Sequence, residues 1–170
     1  RTKWPLVTPA IVAAYIAVFF LLASGRGELD NPKTLIELRG NIGPRTTNGE
    51  WWRLGAAMFV HVSALHLIAE IAGLVQIGLL VERLVGRMAF AVLFMATGGH
   101  ARICNLAFHS VAVHAGSAGA IFGVYGLLMA SLVLGMIQRS TLTVPVGVLK
   151  GFWPGVAVFV VYNTLTEGPV

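Results

Sequence analysis

The chain has 170 residues, of which 56% are hydrophobic and 11% charged, and its formal net charge is +5. Average soluble domains carry about 25% charged residues, so this composition favours a membrane protein. The positive charge does not indicate a nucleic-acid partner, because no basic stripe with interleaved aromatic residues occurs. The length suits a single domain over residues 1–170. Cys104 is the only cysteine, which excludes an internal disulfide.

The first apolar run covers residues 4–24, and about 20 apolar residues suffice to cross a bilayer. It lacks the small-residue cleavage signature of a signal peptide, so we predict a spanning helix. The polar stretch 25–55 follows it. Near the end of this stretch, Trp51, Trp52 and Arg53 suit a membrane interface, where amphipathic rings and a snorkelling guanidinium settle. We therefore predict a structural, anchoring role for these three residues.

The second span is predicted over about 64–80 and contains His66 and Glu70, which share a helix face because they lie four residues apart. An ionisable side chain inside a span is costly and usually faces the protein interior or water. We therefore expect Glu70 to have a function or a specific buried partner. His61 precedes this span, and we interpret it as an interface residue.

A third run covers about 88–108 and is interrupted by the polar sequence Gly-Gly-His-Ala-Arg at 98–102. This interruption predicts that the second half of the run lies near the far surface or faces a cavity. The last apolar run of the chain, the fifth, covers about 146–165.

The fourth run begins at His114 and contains Gly119, Gly123 and Gly126, with Ala130 four residues further on. These intervals place small residues on one helix face, so we predict a groove into which another backbone packs closely. A structural packing stripe is the more common meaning of such a pattern.

The runs together predict an all-α bundle of five membrane-spanning helices. If the N-terminus is cytoplasmic, the short loops on that side of the membrane contain six basic residues and one acidic residue. They are Arg1, Lys3, Arg83, Arg87, Arg139 and Lys150, with Glu82. The positive-inside rule therefore favours a cytoplasmic N-terminus, with the stretch 25–55 on the other side of the membrane.

Several short motifs follow one another along the chain. They are Gly43-Pro44, Glu50-Trp51-Trp52-Arg53, Phe59-Val60-His61, His66 with a polar residue four positions on, Gly78 with Glu82, Gly86 and Arg87, and the segment 116–123. In this order they resemble the rhomboid family of intramembrane serine proteases. The segment 116–123 is similar to the family's Gly-x-Ser-Gly-Ala-x-x-Gly pattern. The resemblance covers nearly the whole chain and implies a sixth span, with a histidine, beyond Val170.

The resemblance also implies site residues. In that family a serine attacks the peptide bond of a membrane-embedded substrate, and a histidine of the sixth span acts as general base. A histidine and an asparagine of the second span stabilise the oxyanion. The matching positions here are Ala118 for the nucleophile, and His66 and Glu70 for the oxyanion pair. A methyl group cannot attack a carbonyl, and a carboxylate repels an oxyanion. Ser117 is displaced by about 100° around a helix, so we interpret it as a small polar filler.

Three functions fit these residues. The first is a rhomboid-like protein without protease activity, which binds transmembrane helices of clients or serves as a subunit of a membrane complex. The second is a rhomboid protease captured as a Ser-to-Ala variant. The third is a helical membrane subunit that ligates a cofactor through His66 or His100. We favour the first, because two catalytic positions are altered together. Its expected partners are membrane lipid and transmembrane helices, with no nucleic acid, cofactor or metal.

Overall fold

The computed structural model describes residues 4–24, 31–109, 112–137 and 146–166, and within these ranges all regular elements are helical. The helices are α1 Val7–Ala23, α2 Pro32–Glu37, α3 Gly43–Thr47, α4 Arg53–Ala56, α5 Ala64–Val85, α6 Arg87–Phe108, α7 Ala118–Ile137 and α8 Val146–Thr166. A short 3₁₀ turn, Ala57–Phe59, follows α4. The predicted all-α class is therefore confirmed.

Two helices of the described ranges are long and apolar enough to cross a membrane, judged by length and composition: α5 and residues 118–135 of α7. The helices Val7–Ala23 and Gly155–Leu165 are apolar but shorter. The number of five spans stays a prediction. Of the basic residues behind the predicted orientation, Arg1, Lys3 and Arg139 lie outside the described residues.

Helix α5 lies at the centre of the bundle and contacts α1, α6, α7 and α8. Apolar side chains from all five long helices meet around it to form the main core. Its most deeply buried members are Tyr15, Leu74, Ile77, Phe90, Phe94, Ile121, Val124 and Phe159.

Glu82 fixes the start of α1 to the end of α5. Its buried carboxylate accepts hydrogen bonds from the backbone N–H groups of Leu6, Val7 and Thr8 at 2.7, 2.8 and 2.8 Å, and from Thr8 Oγ1 at 2.8 Å. Such N–H groups have no acceptor within their own helix, and a negative charge there complements the helix dipole. Gly78 makes room for this contact, because a Cβ at that position would lie 2.8 Å from Thr8 Oγ1.

Two of the predicted stripe glycines allow α7 to approach α6 closely. A Cβ on Gly119 would lie 2.4 Å from Cβ of Ala101, and a Cβ on Gly123 would lie 2.4 Å from Cβ of Thr97. Gly126 differs, because no described atom lies within 4 Å of the corresponding Cβ position. The close contact between α6 and α7 therefore depends on the first two glycines of the stripe.

The polar sequence at 98–102 does not break the helix, because α6 is continuous from Arg87 to Phe108. Gly98 serves close packing, since a Cβ there would lie 2.2 Å from Cε of Met58 and 3.0 Å from Cβ of Ala120. Arg102 is buried and donates a hydrogen bond to the carbonyl of Gly116. These residues face the protein interior.

The fourth helix begins at Ala118, four residues after His114. Gly116 has a φ of +89°, in the left-handed region, so the chain turns there before the helix begins.

Arg53 is buried, so its predicted snorkelling to the membrane interface is wrong. Only 3% of the residue is exposed. Its Nη1 donates hydrogen bonds to the carbonyls of Ile36 and Gly40 at 2.8 and 3.0 Å, and its Nε pairs with Oε2 of Glu50 at 2.5 Å. The guanidinium carbon lies 4.8 Å from the ring centroid of the exposed Trp52. Arg53 therefore ties the segment after α2 to the start of α4.

The segment before α7 packs on the segment after α2. Asn41 and His114 exchange two backbone hydrogen bonds of 2.8 Å each. Beside this pair, Leu35, Val60 and Val113 form a small apolar cluster. These contacts hold the chain in place just before α7 begins.

Gly123→Ala is expected to destabilise the protein, because the new methyl group would force α6 and α7 apart. Overpacking of this kind costs about 1–3 kcal/mol, which corresponds to roughly 2–12 °C in the unfolding midpoint of a chain of this size. The measurement is thermal unfolding in detergent. Gly126→Ala on the same helix is the matched control and should cause no loss. Equal losses for both variants would contradict the close approach at Gly123.

The pKa of the His114 imidazole lies below its usual value of 6.5, because the ring is partly buried and faces the positive charges of Arg102 and His109. Protonation therefore favours the unfolded chain. The stability associated with neutral His114 is complete above a pH of about 6.5 and is lost as the pH falls through the lower, folded-state pKa.

We expect an NMR titration of the folded protein to give His114 a midpoint below 6.5. We also expect His114→Gln to remove part of the stability loss seen on acidification. A midpoint at or above 6.5 would contradict this assignment.

Candidate functional site

The carboxylate of Glu70, on α5, lies against the N-terminus of α7 and is fully buried. Its Oε2 accepts hydrogen bonds from the backbone N–H of Ser117 at 2.6 Å and from the Ser117 hydroxyl at 2.5 Å. Its Oε1 accepts a hydrogen bond from the backbone N–H of Ala118 at 3.0 Å. Glu70 therefore caps α7 from a neighbouring helix, as a negative group at the positive end of the helix dipole.

Two histidines complete the surroundings of this carboxylate. Nε2 of His66 donates to Oε1 of Glu70 at 2.8 Å, one helical turn away on α5. Nε2 of His61 donates to Oε2 at 3.0 Å, and Nδ1 of His61 lies 3.2 Å from the carbonyl oxygen of Phe59. The Glu70 carboxylate therefore has hydrogen-bond partners on α5, at the start of α7 and in the segment before α5.

Because Gly116 has no side chain, α5 and the start of α7 can approach each other at this point. A Cβ on Gly116 would lie 2.5 Å from Oε1 of Glu70 and 2.7 Å from Cε1 of His66. The Gly116 peptide groups are held from two sides: the N–H donates to the carbonyl of Ala57 at 2.9 Å, and the carbonyl accepts from Arg102. The turn before α7 is therefore fixed by contacts that do not involve Glu70.

Tyr15 of α1 closes the site on another side. Its ring is fully buried and lies 4.7 Å from the His61 ring and 5.6 Å from the Phe59 ring, centroid to centroid. Its hydroxyl lies beside Ser117 and Glu70.

The structure brings together the three positions that the resemblance singled out. Ala118 is the first residue of α7 and is 2% exposed, and both His66 and Glu70 lie against the start of this helix. Ser117 is more than a filler, because its hydroxyl and its N–H both bind Glu70. His61, which was interpreted as an interface residue with no role in the site, is 0% exposed and bonds to Glu70. The Phe59-Val60-His61 motif was the available signal for its role.

An apolar groove of about 540 Å³ runs between α5 and α8. Its walls include Ile68 and Ala72 of α5 and Val158 of α8. Tyr162, also in the groove, has its ring centroid 6.4 Å from that of His66. The groove therefore leads from the outside of the bundle towards the buried site.

Within the described ranges, no group of three or more His, Cys, Asp or Glu side chains is arranged to hold a metal ion. The two histidines considered as cofactor ligands have other neighbours: His66 bonds to Glu70, and Nε2 of His100 lies 3.6 Å from Sγ of Cys104.

Comparison with known proteins gives matches to one family. The Rhomboid domain matches residues 48–167. Rhomboid protease GluP of Bacillus subtilis (strain 168) is 34% identical over 125 residues, which are 74% of this chain and 24% of that protein. Rhomboid-like protease 2 of Toxoplasma gondii is 26% identical over 137 residues, 76% of this chain and 48% of that protein.

A third relative, RHOMBOID-like protein 6, mitochondrial, of Arabidopsis thaliana, is 22% identical over 167 residues, 78% of this chain and 53% of that protein. The chain thus spans between a quarter and about half of the length of these curated relatives. Because the domain match covers more than half of the sequence, and the described elements form an all-helical bundle, the chain belongs to the rhomboid family of membrane proteins.

Proposed function

We propose that this chain forms the core of a rhomboid-family protein that does not cleave peptide bonds and binds transmembrane helices of other membrane proteins. Two altered positions in one site support the first half of the proposal. Ala118, at the nucleophile position, carries no group that attacks a carbonyl, and Glu70 stands at the position of an oxyanion donor.

The observation that carries the proposal is the occupation of the oxyanion donors by Glu70. An oxyanion is stabilised by donors aimed at the developing charge, such as backbone N–H groups and side chains. Here His66 and the N–H groups of Ser117 and Ala118 all donate to the Glu70 carboxylate. A second negative charge 4 Å away would be repelled by about 4 kcal/mol at an effective dielectric constant of 20, or roughly a thousandfold in rate.

The groove between α5 and α8 supports the second half of the proposal. It is apolar, and small residues such as Ala72 and Gly73 are among those that line it. Small residues permit close helix approach in lipid, where apolar surface alone does not drive association. The bound partner is therefore a transmembrane helix of a client or of another subunit.

We further propose that the five apolar runs form five spans with a cytoplasmic N-terminus. The balance of basic residues in the short loops supports this orientation.

A protease captured as a Ser-to-Ala variant is the alternative. Ala118 lies at the start of α7, where a serine hydroxyl would be next to the donors, and two relatives are named as rhomboid proteases. The hydrogen bonds of Glu70 count against this alternative, because they would persist in the serine form.

The first test is cleavage of a transmembrane substrate by the full-length protein in proteoliposomes, with an active rhomboid protease as positive control. We expect no cleavage by the unchanged protein or by Ala118→Ser, because Glu70 still occupies the donors in both. Cleavage by the unchanged protein would refute the proposal. Cleavage by Ala118→Ser alone would favour the captured protease. Robust cleavage by Ala118→Ser with Glu70→Asn would show that two substitutions restore protease activity. This result would count against a dedicated non-proteolytic role.

The second test places a photo-crosslinking residue at Ile68 in the groove or at Val92 on α6. Both side chains are 62% exposed, so they form a matched pair. We expect Ile68 to crosslink in cells to a restricted set of proteins, at peptides that map to their transmembrane segments. Val92 should not give these products. The same products from both positions would contradict helix binding in the groove.

A further inference from the structure

We infer that His100 and Cys104 of α6 form a binding site for a thiophilic divalent metal ion, with Zn²⁺ as its probe. The ion is held by Nε2 of the histidine and by the thiolate of the cysteine. Neither residue contacts Glu70 or lines the groove between α5 and α8. The metal site is therefore independent of the proposed helix-binding function.

The two side chains are neighbours on one face of α6. They lie four residues apart, a spacing at which side chains meet along a helix and at which paired zinc ligands occur on one helix face. Nε2 of His100 lies 3.6 Å from Sγ of Cys104. Two metal-ligating atoms therefore already face each other in the folded chain.

The separation of these two atoms matches the geometry of a tetrahedral ion. With a Zn–S bond of about 2.3 Å and a Zn–N bond of about 2.0–2.1 Å, the sulfur and nitrogen ligands of such an ion lie about 3.6 Å apart. This is the separation of Sγ and Nε2 here. An ion therefore fits between them without movement of the helix backbone, and the thiol proton that it displaces passes to water.

The pair faces away from the protein interior. His100 is exposed and Cys104 is half-buried, whereas Arg102 between them points inward and bonds to the carbonyl of Gly116. No described atom lies within 4 Å of the Cβ position of Gly99, so there is open space beside the pair. Water molecules can complete the coordination of the ion from this side.

The position of the pair along α6 gives an ion access from water. The helix ends at Phe108, and at about 1.5 Å per residue Cys104 lies about 6 Å and His100 about 12 Å before that end. The hydrocarbon core of a bilayer is about 30 Å thick. If α6 spans the membrane as proposed, an ion reaches the pair from this end without passing the bilayer centre.

The two donor types select the class of ion. Thiolate and imidazole are ligands of Zn²⁺ and of similar transition metals, whereas Mg²⁺ requires oxygen ligands. Within the described residues, no third His, Cys, Asp or Glu side chain joins the pair. Structural and catalytic zinc sites have three or four protein ligands, so we expect binding here to be reversible.

The experiment measures the rate at which a maleimide alkylates Cys104 in the full-length protein in detergent. Mass spectrometry of the peptide that contains Cys104 gives the rate, with and without metal. Zn²⁺ should slow the alkylation, because a metal-bound thiolate is not a free nucleophile. Mg²⁺ at the same concentration should have no effect.

Two histidine variants test whether the protection requires the pair. His100→Ala should abolish the protection by Zn²⁺, each rate being compared with that of the same variant without metal. His109→Ala is the matched control, because it removes another exposed histidine near the end of α6, and it should keep the protection. Zn²⁺-specific protection that is lost only in His100→Ala supports the site. No protection, equal protection by Mg²⁺, or protection that persists in His100→Ala overturns it.

Co²⁺ decides the question if His100→Ala gives no folded protein. A thiolate-to-cobalt charge-transfer absorption that is present in the unchanged protein, displaced by Zn²⁺ and abolished by Cys104→Ser supports the site. Absence of this absorption, or its persistence in Cys104→Ser, overturns it.

Discussion

The bundle depends on buried acceptors for the backbone N–H groups at helix N-termini. These groups have no partner within their own helix, and leaving them bare in an apolar interior is costly. Helix α5 supplies two carboxylates for this purpose. Glu82 accepts hydrogen bonds from N–H groups at the start of α1, and Glu70 accepts them from N–H groups at the start of α7. The two glutamates are 12 residues apart, or about 18 Å along the helix axis. One central helix therefore sets the positions of two others through charge-assisted hydrogen bonds.

The two caps use the same chemistry with different consequences. Among the described residues, Glu82 accepts hydrogen bonds from backbone N–H groups and from the Thr8 hydroxyl, and these contacts account for a structural role. Glu70 meets two histidines as well, and it does so beside the position from which the nucleophile acts in the protease family. In the proposed function, the hydrogen bonds that stabilise α7 take up the donors that catalysis would need. The proposal therefore links stability and the loss of proteolysis through one side chain.

Several parts of the site could be predicted from the sequence, because the residues involved lie close together along the chain. His66 and Glu70 lie one helical turn apart, and the segment 116–123 has a recognisable pattern of small residues. Other parts depended on contacts between distant segments. The hydrogen bond between His61 and Glu70, and the burial of Arg53 under carbonyls of the segment after α2, follow from no spacing in the sequence. The packing of Gly98 and Arg102 into the protein interior could not be predicted either, because their partners lie on other segments of the bundle.

The sequence by itself determined the all-helical class and the family, and it predicted two altered catalytic positions. Apolar periodicity, short motifs and residue identity are properties of the chain, and they need no knowledge of neighbours. Only the tertiary structure decided what Glu70 does, since a carboxylate in a span can be a protonated packing group, a catalytic acid or a cap. Its role is fixed by the donors that surround it, and three of these come from residues 47 and 48 positions further along the chain. The fold alone brings them within hydrogen-bonding distance.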